Sequence, residues 1–363
     1  MLIARARQDR TPITVNFELL PVCNLDCRMC YIRTDWKTVR SSGGLHSADE
    51  WINLAKELQQ AGTLFLLLTG GEVFLYPEFK RLYIELYNMG FAITINTNAT
   101  LIDDAAVQWL AQYPPKCVSI SLYGSSDGVY EKLCGAKGMF TRVDRAISLL
   151  RQANITVECK TLLTPLNAED MENCWNYVRE KGLPYEMATY SFPATRRCDR
   201  EKQIRFTPEE AVEYTFRRNR MMSTPEQYTE NIREHLQKYY ATRNNEGADH
   251  YGFTCSASNT SCWISWQGTM TPCAFLNVPS AKPFEIGFLP AWEELKRKTD
   301  SIRLSSKCSH CDKRQVCTVC PAAAYAETGE IGGTSGYHCE MTALQVKQME
   351  EYIESIGEHL EKD

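Results

Sequence analysis

No apolar run in this chain of 363 residues approaches the roughly 20 that a membrane-spanning helix needs. Positive charge is not in excess either. Lys and Arg number 40 against 45 Asp and Glu, for a net charge of −5. The totals therefore carry no footprint of a nucleic-acid or anionic-membrane partner. The opening residues, MLIARARQDRTP, bear charges but no apolar h-region. That excludes a secretory signal there and makes a cytoplasmic protein the expectation. Internal repeats and low-complexity tracts are also missing. What remains is ordinary: 44% hydrophobic and 23% charged residues, with length for two or three domains around full cores.

Cysteine, by contrast, is plentiful, at 16 residues. In a large cytoplasmic chain, grouped cysteines more often bind metal or do redox chemistry than form disulfides. Cys23, Cys27 and Cys30 form a tight N-terminal group. Cys255, Cys262, Cys273, Cys308, Cys311, Cys317, Cys320 and Cys339 crowd the C-terminal third. Cys117, Cys134, Cys159, Cys174 and Cys198 are scattered, and Cys117 and Cys159 read as small core residues in or beside strands.

From about residue 13 to 192 the pattern alternates strand and helix. A first strand spans Ile13 to Leu19. Ser47-Ala48-Asp49-Glu50 is a capping box whose helix ends at Gly62. Leu64 to Leu68 is a continuous apolar run, as expected of a strand buried on both faces. Further strands are expected at 91–95, 117–122, 155–162 and 185–190, with helices between them and one capped by Asn167. Six such repeats indicate a parallel α/β domain with its ligand chemistry at the carboxyl ends of the strands. Periodicity does not distinguish an open sheet from a barrel. Residues 196–250 read as two polar helices, opened by Thr207-Pro208-Glu209-Glu210 and Thr224-Pro225-Glu226-Gln227, before a loop at 244–249. Beyond Cys255 regular pattern is sparse, apart from a short hairpin turning at Gln267-Gly268 and a closing helix from about Glu340. A stretch this rich in cysteine and short of core residues needs metals or cross-links for order.

Cys23-x3-Cys27-x2-Cys30-Tyr31, on the loop after the first strand, carries the strongest chemical signal. Three thiolates on one loop can hold a cubane iron–sulfur cluster and leave one iron open. A structural zinc would want a fourth local ligand, and none is obvious. Thr69-Gly70-Gly71-Glu72 stands at the end of the second strand, where glycines admit a close approach and Glu72 offers a carboxylate. In this order and spacing these residues resemble the radical S-adenosylmethionine (SAM) superfamily over about residues 13–192.

The resemblance implies a partial (β/α)6 barrel. It implies that Cys23, Cys27 and Cys30 hold a [4Fe–4S] cluster whose open iron chelates SAM. Glu72 would meet the SAM amino group. Thr97 and Asn98 would contact the ribose, with Ala99 where Gly is usual. Ser121 would meet ribose or carboxylate, and Tyr31 would accompany adenine. Gly70 and Gly71 complete the cofactor-binding set. An Arg common after the fourth strand is not evident near Cys134-Gly135. The implied chemistry is reductive cleavage of SAM to a 5′-deoxyadenosyl radical, which abstracts hydrogen from substrate.

Cys308-x2-Cys311-x5-Cys317-x2-Cys320, with Cys255, Gly268-x4-Cys273 and Cys339, resembles the SPASM extension, which carries two auxiliary [4Fe–4S] clusters. A zinc ribbon would place its knuckles farther apart. The resemblance implies that Cys255, Cys262, Cys273 and Cys320 bind the first auxiliary cluster, and Cys308, Cys311, Cys317 and Cys339 the second. It divides the chain into a barrel (1–192), a helical bridge (193–254), a SPASM domain (255–345) and a C-terminal helix (346–363).

Such enzymes mostly modify peptides and proteins. A radical SAM/SPASM peptide maturase is therefore expected, acting on a precursor peptide and reduced by a flavodoxin or ferredoxin. Cross-linking is favoured, with thioether ahead of carbon–carbon bonds. Sulfatase-type formylglycine formation is the alternative, weakened because Ala274 stands where such maturases carry Asp after Cys273. No winged-helix leader-binding module precedes the first strand, so a separate leader-binding protein is a candidate partner. Arg196 and Arg197 are candidates to meet an acidic peptide, against the plainer reading as a solvated linker. No catalytic base is identified. The non-enzymatic alternative is a metal-stabilised scaffold or electron carrier.

Overall fold

A computed structural model describes residues 2–194, 196, 203–242 and 252–358. Arg197, Cys198 and the expected loop at 244–249 lie outside the described residues. Six parallel strands, β1 (Thr14–Glu18), β2 (Phe65–Thr69), β3 (Ala92–Thr97), β4 (Cys117–Ser121), β5 (Val157–Leu162) and β6 (Tyr185–Ala188), lie in sequential order. Crossover helices run between them. The helix Ala48–Gln60 opens with the expected capping box, Ser47 and Glu50 satisfying each other's backbone N–H.

The strands divide their residues between two faces. Val15, Phe17, Leu66, Leu68, Ile93, Ile95, Val118 and Ile120 are buried in one core with Trp51 and the other helix residues. Phe17 packs on Trp51 at 4.5 Å between centroids. Burying one such side chain stabilises the fold by about 2 kcal/mol. Asn96, Lys160 and Glu186 face the opposite way, onto an inner cavity. Sequential pairing with helices on one face makes this a partial barrel, as the resemblance implied. Asn167 departs from expectation. The helix there spans Met171–Glu180, and the Asn167 side chain instead ties neighbouring loops, accepting from Thr164 and donating to the Tyr123 and Leu162 carbonyls.

The sheet does not end with the sixth repeat. β7 (Ser261–Ile264) pairs in parallel with β1, and β8 (Met270–Thr271) returns antiparallel, giving the order β6-β5-β4-β3-β2-β1-β7-β8. The hairpin turns through Gly268 at φ +74°. The helices Pro208–Met222 and Pro225–Thr242 pack with the long helix Gly336–Ser355 around a second core that includes Phe206, Leu236 and Met349. Around the last cysteines the core shrinks to Leu304, Cys308, Val319, Ala323 and Ala324. No helix among the described residues is long and apolar enough to cross a membrane.

Candidate active site

The loop after β1 carries Cys23, Cys27 and Cys30 to the carboxyl rim of the sheet. Its backbone is pinned from two sides. Asp26 and Arg28 donate to the carbonyls of Cys134 and Leu133 at 3.0 and 2.9 Å, and Gly71 and Glu72 donate to those of Leu20 and Val22 at 2.7 and 3.0 Å. The Gly-Gly pair is required by this second contact. A Cβ on Gly70 would lie 2.5 Å from the Leu20 oxygen, and one on Gly71 only 2.2 Å from the Val22 oxygen. Cys134, standing where an Arg was sought, is buried and holds the loop through its carbonyl.

The three thiols line one cavity of about 350 Å³. Burial first, then the charges of Glu72, Cys27 and Cys30, push the Cys23 thiol far up. Thiols that oppose each other's ionisation become thiolates when a cationic centre joins them. Donors for anionic sulfur are in place: the Leu25 N–H lies 3.4 Å from Cys23 Sγ, the Arg33 N–H 3.3 Å from Cys30 Sγ, and Asn98 Nδ2 3.5 Å from Cys23 Sγ. The donor set fits an iron–sulfur cluster.

Tyr31, Gly70, Gly71, Thr97, Asn98 and Ser121 line the same cavity. Glu72 does not. It is fully buried behind the wall, accepting from Thr97 Oγ1 at 2.7 Å and from the Asn98 N–H at 2.8 Å. Burial raises its pKa, partly offset by these bonds. In this arrangement Glu72 holds Thr97 and Asn98, and Asn98 in turn reaches Cys23. Ala99 adopts φ +60°, the conformation that favours glycine, at a cost of about 1 kcal/mol.

Among the lining residues that escaped sequence reasoning are Tyr123, Lys160, Glu186 and Phe275. Lys160 Nζ stands 3.3 Å from Glu158 and 3.5 Å from Glu186. Phe275, two residues beyond Cys273, packs on Tyr31 at 5.0 Å and stacks on Phe192 at 4.0 Å. Beneath Tyr31 lies a buried ion pair. Arg196 grips Glu18 with both terminal nitrogens at 2.8 and 2.7 Å, and Trp263 Nε1 adds a third donor at 2.9 Å. The guanidinium lies 5.2 Å from the Tyr31 ring centre. Arg196 is therefore neither a solvated linker nor a free cation for an acidic peptide, because Glu18 already neutralises it. A lone Glu ending an apolar strand was the available clue.

The C-terminal cysteines form two groups. Cys308, Cys311, Cys317 and Cys339 line one cavity of about 210 Å³. Burial, then the charges of Cys339, Cys317 and Cys311, raise the Cys308 pKa. Beside them His338 is buried, which draws its pKa down to about 4 and leaves it neutral at pH 7. In the other group, burial pushes Cys273 up to about 11, with Cys320 and Cys255 adding to the effect. Cys320 caps the helix Pro321–Thr328, its sulfur 3.4 Å from the Ala323 N–H. Cys262 does not join this group, contrary to expectation. It lies in β7 opposite Val15, fully buried in the apolar core. Burial alone drives its thiol up. Cys117 and Cys159 are buried, and burial lifts them to about 11 and about 12.

Residues 17–180 match the Radical SAM superfamily. Over this stretch the chain carries a radical SAM domain. It is 25% identical over 331 residues to an AdoMet-dependent heme synthase of Methanosarcina barkeri (strain Fusaro / DSM 804), covering 88% of this chain and 94% of that protein. The sporulation killing factor maturation protein SkfB of Bacillus subtilis (strain 168) is 30% identical over 173 residues, 46% of this chain and 40% of that one. The structure of Streptococcus suis SuiB bound to precursor peptide SuiA superposes with a TM-score of 0.68 at 20% identity, over 93% of this chain and 78% of that one. The last likeness is one of fold.

Proposed function

We propose that this enzyme abstracts hydrogen from a ribosomal precursor peptide and completes an oxidation that cross-links it, forming a thioether in preference to a carbon–carbon bond. One observation carries this. The segment holding Cys273 forms part of the SAM cavity wall through Phe275, against Tyr31. An auxiliary iron–sulfur centre, were Cys273 to hold one, would be attached two residues from this wall and would supply an outlet for the electron that oxidation must release.

Cys23, Cys27 and Cys30 would hold the cluster, whose chemistry when bound and reduced would be one-electron cleavage of SAM. The chain supplies position. Tyr31, Gly70, Gly71, Thr97, Asn98 and Ser121 bound the SAM site, and Glu72 orients two of them. Lys160 also lines this wall, already engaged by Glu158 and Glu186. Cys308, Cys311, Cys317 and Cys339, which share one cavity, would hold a second auxiliary cluster. A flavodoxin or ferredoxin would deliver electrons. Ala274 after Cys273 offers no base, which weighs against formylglycine formation.

SkfB, named a maturation protein, and SuiB, crystallised with a precursor peptide, support a peptide substrate. A porphyrin substrate is the second candidate, favoured by the heme synthase match along most of the chain. The test is anaerobic reconstitution to about 12 iron per chain, then reductant and SAM with either a Cys-rich peptide encoded nearby or an iron porphyrin bearing propionates. Release of 5′-deoxyadenosine with loss of two hydrogens from the peptide is expected. Turnover of the porphyrin alone would transfer the assignment. Zinc in place of iron, or no SAM cleavage, would end it.

A further inference from the structure

We infer that a polar cavity of about 410 Å³ between the loop after β1 and the β7–β8 hairpin is a subsite for the main chain of a peptide, seating uncharged residues that flank the one oxidised. This deepens the proposed function and rests on its choice of a peptide substrate.

Two buried donors without partners mark the place. Thr34 lines the cavity and is 7% exposed. Its backbone N–H is tied to the Pro21 carbonyl at 3.1 Å, but its Oγ1 has no hydrogen-bond partner. Arg196 lines the same cavity. Both of its terminal nitrogens are engaged by Glu18, at 2.8 and 2.7 Å, and its Nε–H is left buried without an acceptor. An unmet buried donor destabilises a fold, so two of them beside one cavity call for an acceptor brought from outside.

The lining sets the chemistry of that acceptor. Glu18 offsets the charge of Arg196, and no carboxylate or second cation is among the described lining residues. A charged ligand finds no counter-charge there, and an apolar one would bury hydroxyls and amides unmet. Gln267 and Thr269 on the hairpin, and Asn277 beyond it, bring side-chain amides and a hydroxyl. An uncharged chain that both accepts and donates suits this set. A peptide carbonyl would take the Thr34 O–H and the Arg196 N–H, and a peptide N–H would meet the amide oxygen of Gln267 or Asn277. The propionates of a porphyrin would not suit it. Position agrees with chemistry. Ile32 belongs to the walls of both this cavity and the SAM cavity. The Arg196 guanidinium lies 5.2 Å from the ring centre of Tyr31, which lines the SAM cavity. A peptide seated here lies across Ile32 from the place where hydrogen would be abstracted.

The test uses the reconstituted full chain and acetyl-tetraglycine amide, a probe that offers main-chain groups alone. Calorimetry should register its binding, and hydrogen-exchange mass spectrometry should show it protecting the segments that contain Thr34 and Gln267. T34V, alike in shape without the hydroxyl, should weaken the probe about fivefold, whereas T34S should bind it as the parent does. Without the probe, T34V should raise the denaturation midpoint, because it removes an unmet donor. Absence of protection at these segments would overturn the inference. So would unchanged affinity in T34V, or a lowered midpoint, which would give the hydroxyl a partner within the fold. Protection by methyl glucoside but not by the probe would also overturn it, in favour of a carbohydrate. None of these readouts needs SAM cleavage. Failure of 5′-deoxyadenosine release would strike the proposed function, and failure of the probe this inference alone.

Discussion

At the scale of single residues, the least replaceable positions are set by backbone approach as much as by chemistry. Gly71 leaves no room for a methyl group against the Val22 carbonyl. G71A should displace the cysteine loop, lower stability by about 2 kcal/mol in a denaturant titration, and depress iron binding at Cys23, Cys27 and Cys30. Replacing those three cysteines by Ala should abolish 5′-deoxyadenosine release and remove about 4 of 12 iron per chain, as chemical iron analysis would show. The trio and the Gly-Gly-Glu run were legible in the sequence because their spacing lies within one loop each. Lys160, Glu186 and Phe275 were not, since which of them meet depends on strand register and on how far the sheet closes. Glu72 was legible as important, but its place behind the wall follows from Thr97 and Asn98, residues about 25 positions downstream.

At the scale of elements, local signals carried well where a helix announces its own start. The capping boxes at Ser47, Thr207 and Thr224 all form. T207A should weaken the helix Pro208–Met222 and cost about 1 kcal/mol, read from the shift in denaturation midpoint. Asn167 carried the same signal to a different end, because its amide has four partners in adjoining loops. The Cys262 assignment failed for the same class of reason: spacing along the chain does not reveal a strand's inward face. A tertiary tie of larger consequence joins Glu327, in the helix Pro321–Thr328, to Arg205 at 2.6 and 2.9 Å and to Tyr190 at 2.9 Å. Burial of the carboxylate makes the pair count. E327Q strands a partly buried guanidinium and should cost about 2 kcal/mol, below the value for a wholly buried pair because Arg205 retains some solvent. The pairing of E327Q with Arg205→Met should recover part of that loss in the same titration.

At the scale of the whole molecule, six β–α repeats and a cysteine-rich tail were legible as separate parts, but their union in one sheet was not. Parallel pairing of strands nearly 250 residues apart leaves no local mark. Its consequence reaches beyond catalysis. β7 occupies the free flank of β1, so a polypeptide cut at residue 254 would bare a row of unsatisfied amides along β1. Such a fragment should self-associate in light-scattering measurements while the intact chain stays dispersed. The C-terminal region thus guards the sheet edge it completes, and loss of the latecomer strand would turn that edge into a seed for aggregation.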